Sequence, residues 1–410
     1  MTTKLTVRNV YKIFGSDSAG ALARLEQGQT KEQIFAETGQ TVGVQDANFS
    51  VDEGEIFVIM GLSGSGKSTL VRMLNGLIKP SGGEILIDSD DVASADPAKL
   101  REIRRAKIAM VFQHFALFPH KTVVENVAYG LKVRGVAKAE RRARALHALD
   151  QVGLKAHADT YTEELSGGMQ QRVGLARGLA TEPDILLMDE PFSALDPLIR
   201  HDMQGELLQL QRSLKKTIIF ITHDLDEALV LGDRIAIMKG GKIVQIGTAR
   251  EIVDHPADDY VTAFTENIDR AQVLTAQTAA VPAEPLEKSD TVATALRRME
   301  KLDRNALYVV DDGKPLGVAL YRDLHSGGHG PDATLSECRI VSKFPTTPPD
   351  CLLKQLYGKA GSGLPIAVID GEGKLINVVE AAALLKELSG RSSEKASPED
   401  VTTPVAASAA

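Results

Sequence analysis

Short apolar runs alternate with longer segments of helical periodicity from Leu5 to about Leu231. This alternation is typical of a layered α/β domain. Between Val123 and Ala180 the pattern is helical, with charged stretches on the expected solvent faces. The apolar runs predict eight strands, at Leu5–Phe14, Val42–Val51, Ile56–Met60, Glu84–Ile87, Ile108–Phe112, Ile185–Met188, Ile218–Thr222 and Arg234–Met238, the last opening a hairpin that ends at Ile246.

A second region follows and contains a weak internal repeat. Residues 294–324 and 352–388 each show the order helix, strand, turn, strand, helix, and two such units are expected to pack into one small domain. Residues 266–290 are rich in Ala, Pro and polar residues with little periodicity, which predicts a linker. Residues 389–410 are rich in Ser, Ala and Pro, which predicts a disordered tail.

Composition narrows the functional classes. The 410 residues include 47 Lys+Arg and 55 Asp+Glu, so the formal net charge of −8 disfavours a nucleic-acid binder that relies on phosphate neutralisation. No apolar run approaches the roughly 20 residues of a membrane-spanning helix. The start lacks an apolar signal-peptide core, and two cysteines are too few for a disulfide framework. We therefore expect a chain that does not cross a bilayer, in a reducing, cytosolic setting.

The clearest chemistry lies directly after the predicted strand at residues 56–60. Residues 61–68 match the pattern G-x-x-x-x-G-K-[ST] and precede a helical run. Small residues let successive backbone N–H groups curl around a β-phosphate, while Lys67 neutralises β/γ oxygens and the Ser68 hydroxyl can ligate Mg²⁺. The residues assigned to nucleotide binding are Gly61, Leu62, Ser63, Gly64, Ser65, Gly66, Lys67, Ser68 and Thr69.

Two carboxylates follow the predicted strand at residues 185–188. Asp189 is expected to hold Mg²⁺ through water, and Glu190 is placed to polarise the attacking water as a general base. Acids after a strand are usually solvated loop residues, so both assignments depend on the phosphate-binding loop.

Residues 165–172, LSGGMQQR, resemble the signature LSGGQ of ATP-binding cassette (ABC) ATPases, with Met169 where Gln is usual. The resemblance covers residues 5–260. It implies a P-loop NTPase cassette within residues 1–265, with a mixed-sheet core, an antiparallel β subdomain and a helical signature subdomain at about 114–180. In the family the signature contacts ATP held by a second copy in a head-to-tail pair, which implies that role for Leu165, Ser166, Gly167, Gly168, Met169 and Gln170.

Three further elements follow in the family's order. Gln113 resembles the Q-loop glutamine that contacts Mg²⁺ or the attacking water, and His223 resembles the switch histidine that contacts the γ-phosphate. The D-loop is matched by Ser193, Ala194, Leu195 and Asp196. Together the elements imply catalytic roles for Lys67, Gln113, Glu190 and His223, and metal ligation by Ser68, Gln113 and Asp189.

An aromatic residue that stacks on adenine is expected in the first strand, with Phe14 preferred and Tyr11 as the alternative. Residues 16–41 then intervene, an insertion that is unusual in the general family. With the Met-containing signature, SALDPLIR, THDLDEA and the repeated C-terminal region, the insertion resembles the ATPase subunits of glycine betaine/proline importers, the ProV/OpuA group. This resemblance covers the chain up to about Leu388.

The resemblance implies an ATPase that energises import of glycine betaine, proline or a related quaternary amine such as choline. Its implied partners are a membrane permease at the cytoplasmic face of the inner membrane and, indirectly, a solute-binding protein. The segment His114–Val127 either docks a permease helix or packs in the core.

An ABC ATPase of DNA repair or translation is an alternative to a transport subunit, but the coiled coils or second cassette of such proteins are not seen in the sequence. A sensor with a vestigial ATPase is another, and the intact Lys67, Asp189, Glu190 and His223 argue against it.

Residues 291–388 resemble a tandem pair of CBS motifs, modules that often bind adenine nucleotides. The first repeat keeps the ribose-contacting Asp323 but has Leu320 in place of the phosphate-contacting hydroxyl, and the second repeat keeps neither. A packing role or a role in sensing ionic strength is therefore favoured over nucleotide binding. Residues 291–390 hold 12 Lys+Arg and 12 Asp+Glu, a net charge of 0, which gives no support to sensing through anionic lipid.

Overall fold

The structure is a computed structural model that describes residues 2–113, 115–266 and 268–388. The chain divides into two units, Met1–Ile268 and Asp269–Ala410. His114 and the tail predicted at residues 389–410 lie outside the described residues.

The strands of the first unit form two sheets. A four-stranded antiparallel sheet has the order β2-β1-β4-β5 and a six-stranded sheet the order β10-β9-β3-β8-β7-β6, parallel except for β10. All eight predicted strands and the hairpin are present, each within two residues of its predicted ends. Within the described residues the strands are β1 (Thr3–Phe14), β2 (Thr41–Asp52), β3 (Ile56–Met60), β4 (Gly82–Ile87), β5 (Asp90–Asp91), β6 (Ile108–Val111), β7 (Ile185–Asp189), β8 (Thr217–Thr222), β9 (Arg234–Lys239) and β10 (Lys242–Gly247).

Helices flank these sheets, and α5 to α8 occupy the segment predicted as helical. Polar side chains cap many of them, as when Asp196 accepts a hydrogen bond from the Ile199 backbone N–H at the start of α9. The helices of the described part of this unit are α1 (Ser18–Glu26), α2 (Lys31–Thr38), α3 (Lys67–Leu74), α4 (Pro97–Ala106), α5 (Val123–Val127), α6 (Tyr129–Val133), α7 (Lys138–Gln151), α8 (Gly167–Leu179), α9 (Pro197–Leu214), α10 (Leu225–Leu231), α11 (Ala249–Asp254) and α12 (Asp259–Thr265).

The central strands of the larger sheet bring three chemical groups to one edge. β3 and β8 are buried along their whole length and β7 along all but its last residue, as expected for parallel strands covered on both faces. Parallel strands end at the same edge of a sheet. The phosphate loop after β3, the carboxylates at the end of β7 and His223 after β8 therefore lie side by side.

The insertion between β1 and β2 folds into the two helices α1 and α2. Its apolar side chains form a separate small core with residues of the flanking strands, composed of Ile13, Ala21, Leu25, Ile34 and Val42. Thr30 and Gln33 form a reciprocal capping box where α2 begins, and Gly39 ends α2 in the left-handed conformation at φ 70°. The insertion is thus a packed element.

The second unit contains two small sheets of the order β11-β17-β16-β15 and β12-β13-β14. In each, an antiparallel pair is extended by a short parallel strand, β12 on β13 and β15 on β16. Its elements in the described residues are α13 (Ala276–Ala279), β11 (Val281–Pro282), β12 (Leu286–Glu287), α14 (Val292–Leu302), β13 (Ala306–Asp311), β14 (Lys314–Leu320), α15 (Tyr321–Ser326), β15 (Thr346–Thr347), α16 (Tyr357–Ala360), β16 (Ile366–Ile369), β17 (Leu375–Val379) and α17 (Ala381–Leu388).

The two halves of this unit share a core. Tyr308 and Val318 of the first half pack with Ala367 and Val378 of the second. The Tyr308 hydroxyl donates a hydrogen bond to the Pro365 backbone oxygen at 2.6 Å, which also joins the halves. The two halves of the repeat therefore share one core within the second unit.

The segment predicted as a linker, residues 266–290, belongs largely to this second unit. Ala271, Leu274, Ala276 and Ala279 are buried in its core, and β11 and β12 pair with β17 and β13. The prediction of a free linker is wrong here because the small apolar residues of this segment are spaced irregularly. They pack beneath a sheet without the helical or alternating period that would reveal their burial.

Candidate functional site

The phosphate loop is a glycine-dependent turn packed against two neighbouring strands. Gly61 and Gly66 adopt φ values of 152° and 102°, which L side chains rarely adopt. A Cβ on Gly61 would lie 2.3 Å from the Met238 carbonyl oxygen, and one on Gly66 would lie 2.5 Å from the Gly43 carbonyl oxygen. The loop can approach β9 and β2 this closely only with glycine at both positions.

Lys67 lies at the first position of α3 and closes the loop. Its Nζ donates hydrogen bonds to the Gly61 and Leu62 carbonyl oxygens at 2.5 and 3.1 Å. Burial lowers the pKa of Lys67, and the nearby carboxylates of Glu190 and Asp189 oppose that shift. The buried Ser65 Oγ has no hydrogen-bond partner in the described protein, so the loop offers a donor that a phosphate oxygen would satisfy.

An open cavity of about 630 Å³ lies over the loop. This volume is within the range of sites that bind small molecules and cofactors. The cavity brings together the loop, the aromatic of the first strand and two predicted catalytic side chains. It is lined by Phe14, Lys31, Thr41, Val42, Gly43, Leu62, Ser63, Gly64, Ser65, Gly66, Lys67, Ser68, Thr69, Glu190, His223 and Gly240.

Glu190 and His223 form a pair at the cavity wall. His223 Nδ1 lies 3.0 Å from Glu190 Oε2. Glu190 has a φ of 45°, a left-handed conformation uncommon for a non-glycine residue, and its backbone N–H donates to the Ile221 carbonyl oxygen at 3.0 Å. Such strain persists only where the surrounding structure enforces it, and here it directs the carboxylate into the cavity.

Asp189 and Gln113 flank this pair but do not line the cavity. Burial, together with the neighbouring Glu190 carboxylate, raises the pKa of Asp189, and the cations Arg72 and Lys67 partly offset the shift. Gln113 Nε2 donates to Ser193 Oγ at 3.0 Å, and that hydroxyl donates to the Glu190 backbone oxygen at 3.0 Å. The predicted Q-loop and D-loop are thus linked directly to the segment that carries Glu190.

The signature residues begin α8, away from the cavity. Ser166 caps the helix by accepting a hydrogen bond from the Met169 backbone N–H at 3.4 Å, and Gln170 Nε2 donates to the Thr162 and Leu165 carbonyl oxygens. Gly168 packs against α9, where an added Cβ would lie 2.7 Å from Ile199 Cγ2. None of the described signature residues lines the cavity of its own chain.

Of the two aromatic candidates for adenine, the structure places Phe14 at the cavity and Tyr11 elsewhere. Phe14 is 42% exposed, and Lys12 Nζ lies 5.1 Å from its ring centroid. Tyr11 packs against the small core of the insertion. The other wall of the cavity, which was not predicted from the sequence, comes from the insertion, the start of β2 and the β9–β10 turn. A signal was available, since the insertion directly follows the predicted adenine aromatic.

The segment 114–127 was predicted either to dock a permease helix or to pack in the core. Its described part, residues 115–127, has features of both. Asn126 is fully buried and holds the loop through hydrogen bonds with the backbone N–H and carbonyl of Phe118. Arg177 donates to the Phe115 and Ala116 carbonyl oxygens. Phe115, Leu117 and Phe118 remain half-buried, so the loop is internally braced and also presents apolar surface.

Comparisons with known proteins agree with this geometry. A family model described as ABC transporter matches residues 44–193, and one described as CBS domain matches residues 281–327. The glycine betaine transport ATP-binding protein OpuAA of Bacillus subtilis is 50% identical over 388 residues, covering 94% of this chain and 93% of the relative. The glycine betaine/proline betaine transport system ATP-binding protein ProV of Salmonella typhimurium is 49% identical over 396 residues, covering 95% and 98%.

The cassette also matches a solved structure. A dimeric post-hydrolysis state of the ATP-binding cassette MJ0796 bound to ADP and Pi has a TM-score of 0.50 and 34% identity, covering 60% of this chain and 99% of that one. The fold and the phosphate site together define an ATP-binding cassette ATPase. The chain belongs to the family of ABC transporter ATP-binding subunits, and the full-length relatives named above are the ATP-binding proteins of glycine betaine transport. The expected resemblance is confirmed.

No helix within the described residues is long and apolar enough to span a membrane.

Proposed function

We propose that this chain is the ATP-hydrolysing subunit of an importer for glycine betaine, proline betaine, proline or a related quaternary amine. One observation carries the proposal. The identity of 49–50% to betaine transport subunits extends over both units and covers 93–98% of those relatives, so it is not confined to the cassette that all ABC ATPases share. The insertion and the second unit are part of that match.

The residues of the site fit ATP with Mg²⁺. The loop glycines leave the backbone N–H groups accessible, and the Ser65 hydroxyl has no hydrogen-bond partner among the described residues. Ser68 and Asp189 supply one hydroxyl and one carboxylate, and Gln113 an amide oxygen. Mg²⁺ is usually bound by few protein oxygens, with substrate phosphates and water completing the octahedron. When bound, the ion would neutralise charge that develops on the transferred phosphoryl group.

The chain's own residues then have separate roles. Lys67, kept from water and facing two carboxylates, binds the β/γ phosphate oxygens. Glu190 accepts a proton from the attacking water, and His223 orients the Glu190 carboxylate through the 3.0 Å contact and reaches the γ-phosphate. Phe14 stacks on adenine at the open end of the cavity.

Turnover on this proposal requires two copies of the chain. The signature residues lie outside the cavity of their own chain, so their N–H groups can meet only a nucleotide presented by another chain. A dimeric cassette of known structure matches this one. The two cassettes close together when they bind ATP and separate after hydrolysis. These are the two states that a transporter needs.

Membership of the family also suggests two further partners, a membrane permease and a solute-binding protein. The half-buried apolar side chains at 115–118 provide a docking surface for permease subunits at the cytoplasmic face of the inner membrane. A solute-binding protein would deliver the substrate to that permease from the other side. The second unit, which contains the CBS match, would regulate transport in response to osmotic conditions.

An uptake assay tests the proposal. The host bacterium with the gene for this chain deleted is compared with the same strain carrying the wild-type gene, using labelled glycine betaine, proline, choline and trimethylamine N-oxide at raised osmolarity. We expect deletion to abolish glycine betaine uptake and plasmid-borne wild type, but not the Glu190→Gln variant, to restore it. If deletion leaves glycine betaine uptake unchanged but abolishes uptake of another solute, that other solute is the substrate.

Trimethylamine N-oxide is included because the transport ATP-binding protein TmoW of Ruegeria pomeroyi is 49% identical, covering 77% of this chain and 94% of its own length.

A further inference from the structure

The insertion α1–α2 contributes one charged side chain to the wall of the nucleotide cavity. Lys31 lines the cavity together with Phe14 and the phosphate loop. A Cβ built on Gly240, in the β9–β10 turn, would lie 2.8 Å from Lys31 Nζ, so the ammonium lies against the turn that forms the same wall of the cavity. The charged end of the side chain is therefore at the cavity surface.

The position of Lys31 is fixed by its surroundings. The capping box of Thr30 and Gln33 sets where α2 begins, with hydrogen bonds of 2.8 and 3.2 Å, and Lys31 is the first helical residue. Ile34, one turn further on, is fully buried in the small core of the insertion. Because the helix is anchored at both its start and its apolar face, the root of the lysine side chain is held in place.

Helix stability does not account for a lysine at this position. A cation in the first turn of a helix is electrostatically unfavourable, because the N-terminal end carries partial positive charge. Its ion pair with Glu32, at 3.8 Å with the Glu32 side chain 71% exposed, contributes little. The charge is therefore better explained by something that the cavity receives.

The charges that face the cavity favour an anionic ligand at this wall. Lys67 supplies one cation from the phosphate loop, and the acidic side chain among the cavity residues is Glu190, which is paired with His223. A nucleotide brings several negative charges. An ammonium close to one of these charges strengthens binding through Coulomb attraction, which is larger near a protein surface than in bulk water.

We infer that Lys31 is a nucleotide-binding residue: the insertion supplies a second cation, outside the phosphate loop, that contacts the phosphate-bearing part of ATP. The inference rests on the proposed assignment of this cavity to ATP. It gives the insertion, which directly follows Phe14 in the chain, a role in the site.

The test compares Lys31→Ala with Lys138→Ala in the purified full-length chain. Lys138 is an exposed lysine that also occupies the first position of a helix, α7, but it lies outside the cavity. Both variants thus remove the same charge from the same helical position. Dissociation constants for ATP are measured by displacement of a fluorescent ATP analogue at low and high salt, with thermal unfolding as the check of folding.

We expect Lys31→Ala to raise the dissociation constant for ATP about three- to tenfold at low salt, and by less at high salt, because salt screens a half-exposed ion pair. Lys31→Arg should retain near wild-type affinity and Lys138→Ala should be unchanged. Equal affinities of Lys31→Ala and Lys138→Ala at low salt would overturn the inference. The Lys67→Ala variant distinguishes failure of this inference from failure of the proposed function. If Lys67→Ala also leaves ATP affinity unchanged, the assignment of the cavity to ATP fails. If Lys67→Ala loses ATP binding while Lys31→Ala does not, only the role of Lys31 is rejected.

Discussion

Glu190 shows how the site depends on a single residue conformation. Its φ is 45°, and the two adjacent acids have different partners. Asp189 is influenced electrostatically by Lys67 and Arg72, while Glu190 contacts His223 at the cavity. Strained backbone of this kind is retained where it orients a reacting group.

Replacing Glu190 by Gln should stop turnover while ATP binding remains. The amide keeps the shape and the contact with His223 but cannot accept a proton, so we expect the steady-state ATPase rate to fall by about 10² to 10⁴-fold. Phosphate release measures the rate, and size-exclusion chromatography with ATP should show a dimer. Hydrolysis at near the wild-type rate would remove Glu190 from the role of general base.

The buried carboxylate of Glu227 should make the stability of the protein depend on pH. The carboxylate is buried, and it accepts hydrogen bonds from Thr222 Oγ1 at 2.6 Å and Gln204 Nε2 at 3.3 Å, with Arg200 Nε 3.8 Å away. Burial raises the pKa of Glu227 above its usual value, partly opposed by the Thr222 hydroxyl, and the Asp224 carboxylate adds to the rise.

A raised pKa in the folded state means that protonation favours folding. The wild-type free energy of unfolding, relative to Glu227→Gln, should therefore increase as pH falls through the raised pKa toward the unfolded value of about 4.3, and decrease as pH rises. Urea midpoints of the two proteins between pH 5 and pH 8 measure the difference. An advantage of the wild type that grows with pH would contradict the shift.

At the scale of elements, the signature helix is positioned by close packing on α9. Gly168 leaves no room for a side chain beside Ile199, whereas a Cβ on Gly167 would meet Leu195 Cδ2 only at an ordinary 3.8 Å. Packing of this kind links the signature, the D-loop and the start of α9 into one body. A change at Gly168 should therefore move the signature helix, which in the proposed mechanism contacts ATP held by a second copy of the chain.

The Gly168→Ala variant should be destabilised by about 1–3 kcal/mol through overpacking against Ile199. Gly167→Ala is the matched control, and we expect its stability to be unchanged or slightly raised, because alanine is the better helix former. Thermal unfolding compares the two variants. In a double-mutant cycle, Ile199→Ala should reduce the cost of Gly168→Ala, and full additivity would show that the contact is not the cause.

In the whole chain, the boundary between the two units lies at residue 268, before the middle of the predicted linker. A truncated chain that contains only the first unit should therefore end there. Cutting near residue 281, as the predicted linker suggests, would leave Ala271, Leu274, Ala276 and Ala279 without the rest of their core. Cutting after Ile268 follows the boundary between the two units. The chain ending at 268 should therefore remain soluble, and the chain ending at 280 should aggregate because it exposes apolar surface.

Deleting residues 269–410 should also flatten the dependence of transport on internal salt, if the second unit regulates transport osmotically. Uptake by the permease with the truncated chain, measured in vesicles over a range of internal salt, tests this. ATPase activity of the truncated chain is the control that the cassette is intact. A salt profile equal to that of the full-length subunit would exclude regulation through the second unit.

The cassette can be recognised from local features of the sequence. Strands buried on both faces produce continuous apolar runs, and a phosphate loop is a local turn whose glycines, lysine and serine are adjacent in the chain, so both can be recognised without tertiary information. The same holds for Ser166, whose capping role is set within one helical turn. The family resemblance rested on these local features.

Contacts between residues far apart in the chain could not be predicted in this way. Lys31 joins the nucleotide cavity because the insertion folds onto its own small core, and Tyr11 is drawn to that core while Phe14 stays at the cavity. Residues 269–290 join the second unit because their irregularly spaced apolar side chains fit between a sheet and its helices. Such placements depend on packing between segments far apart in the chain, and no local period encodes them.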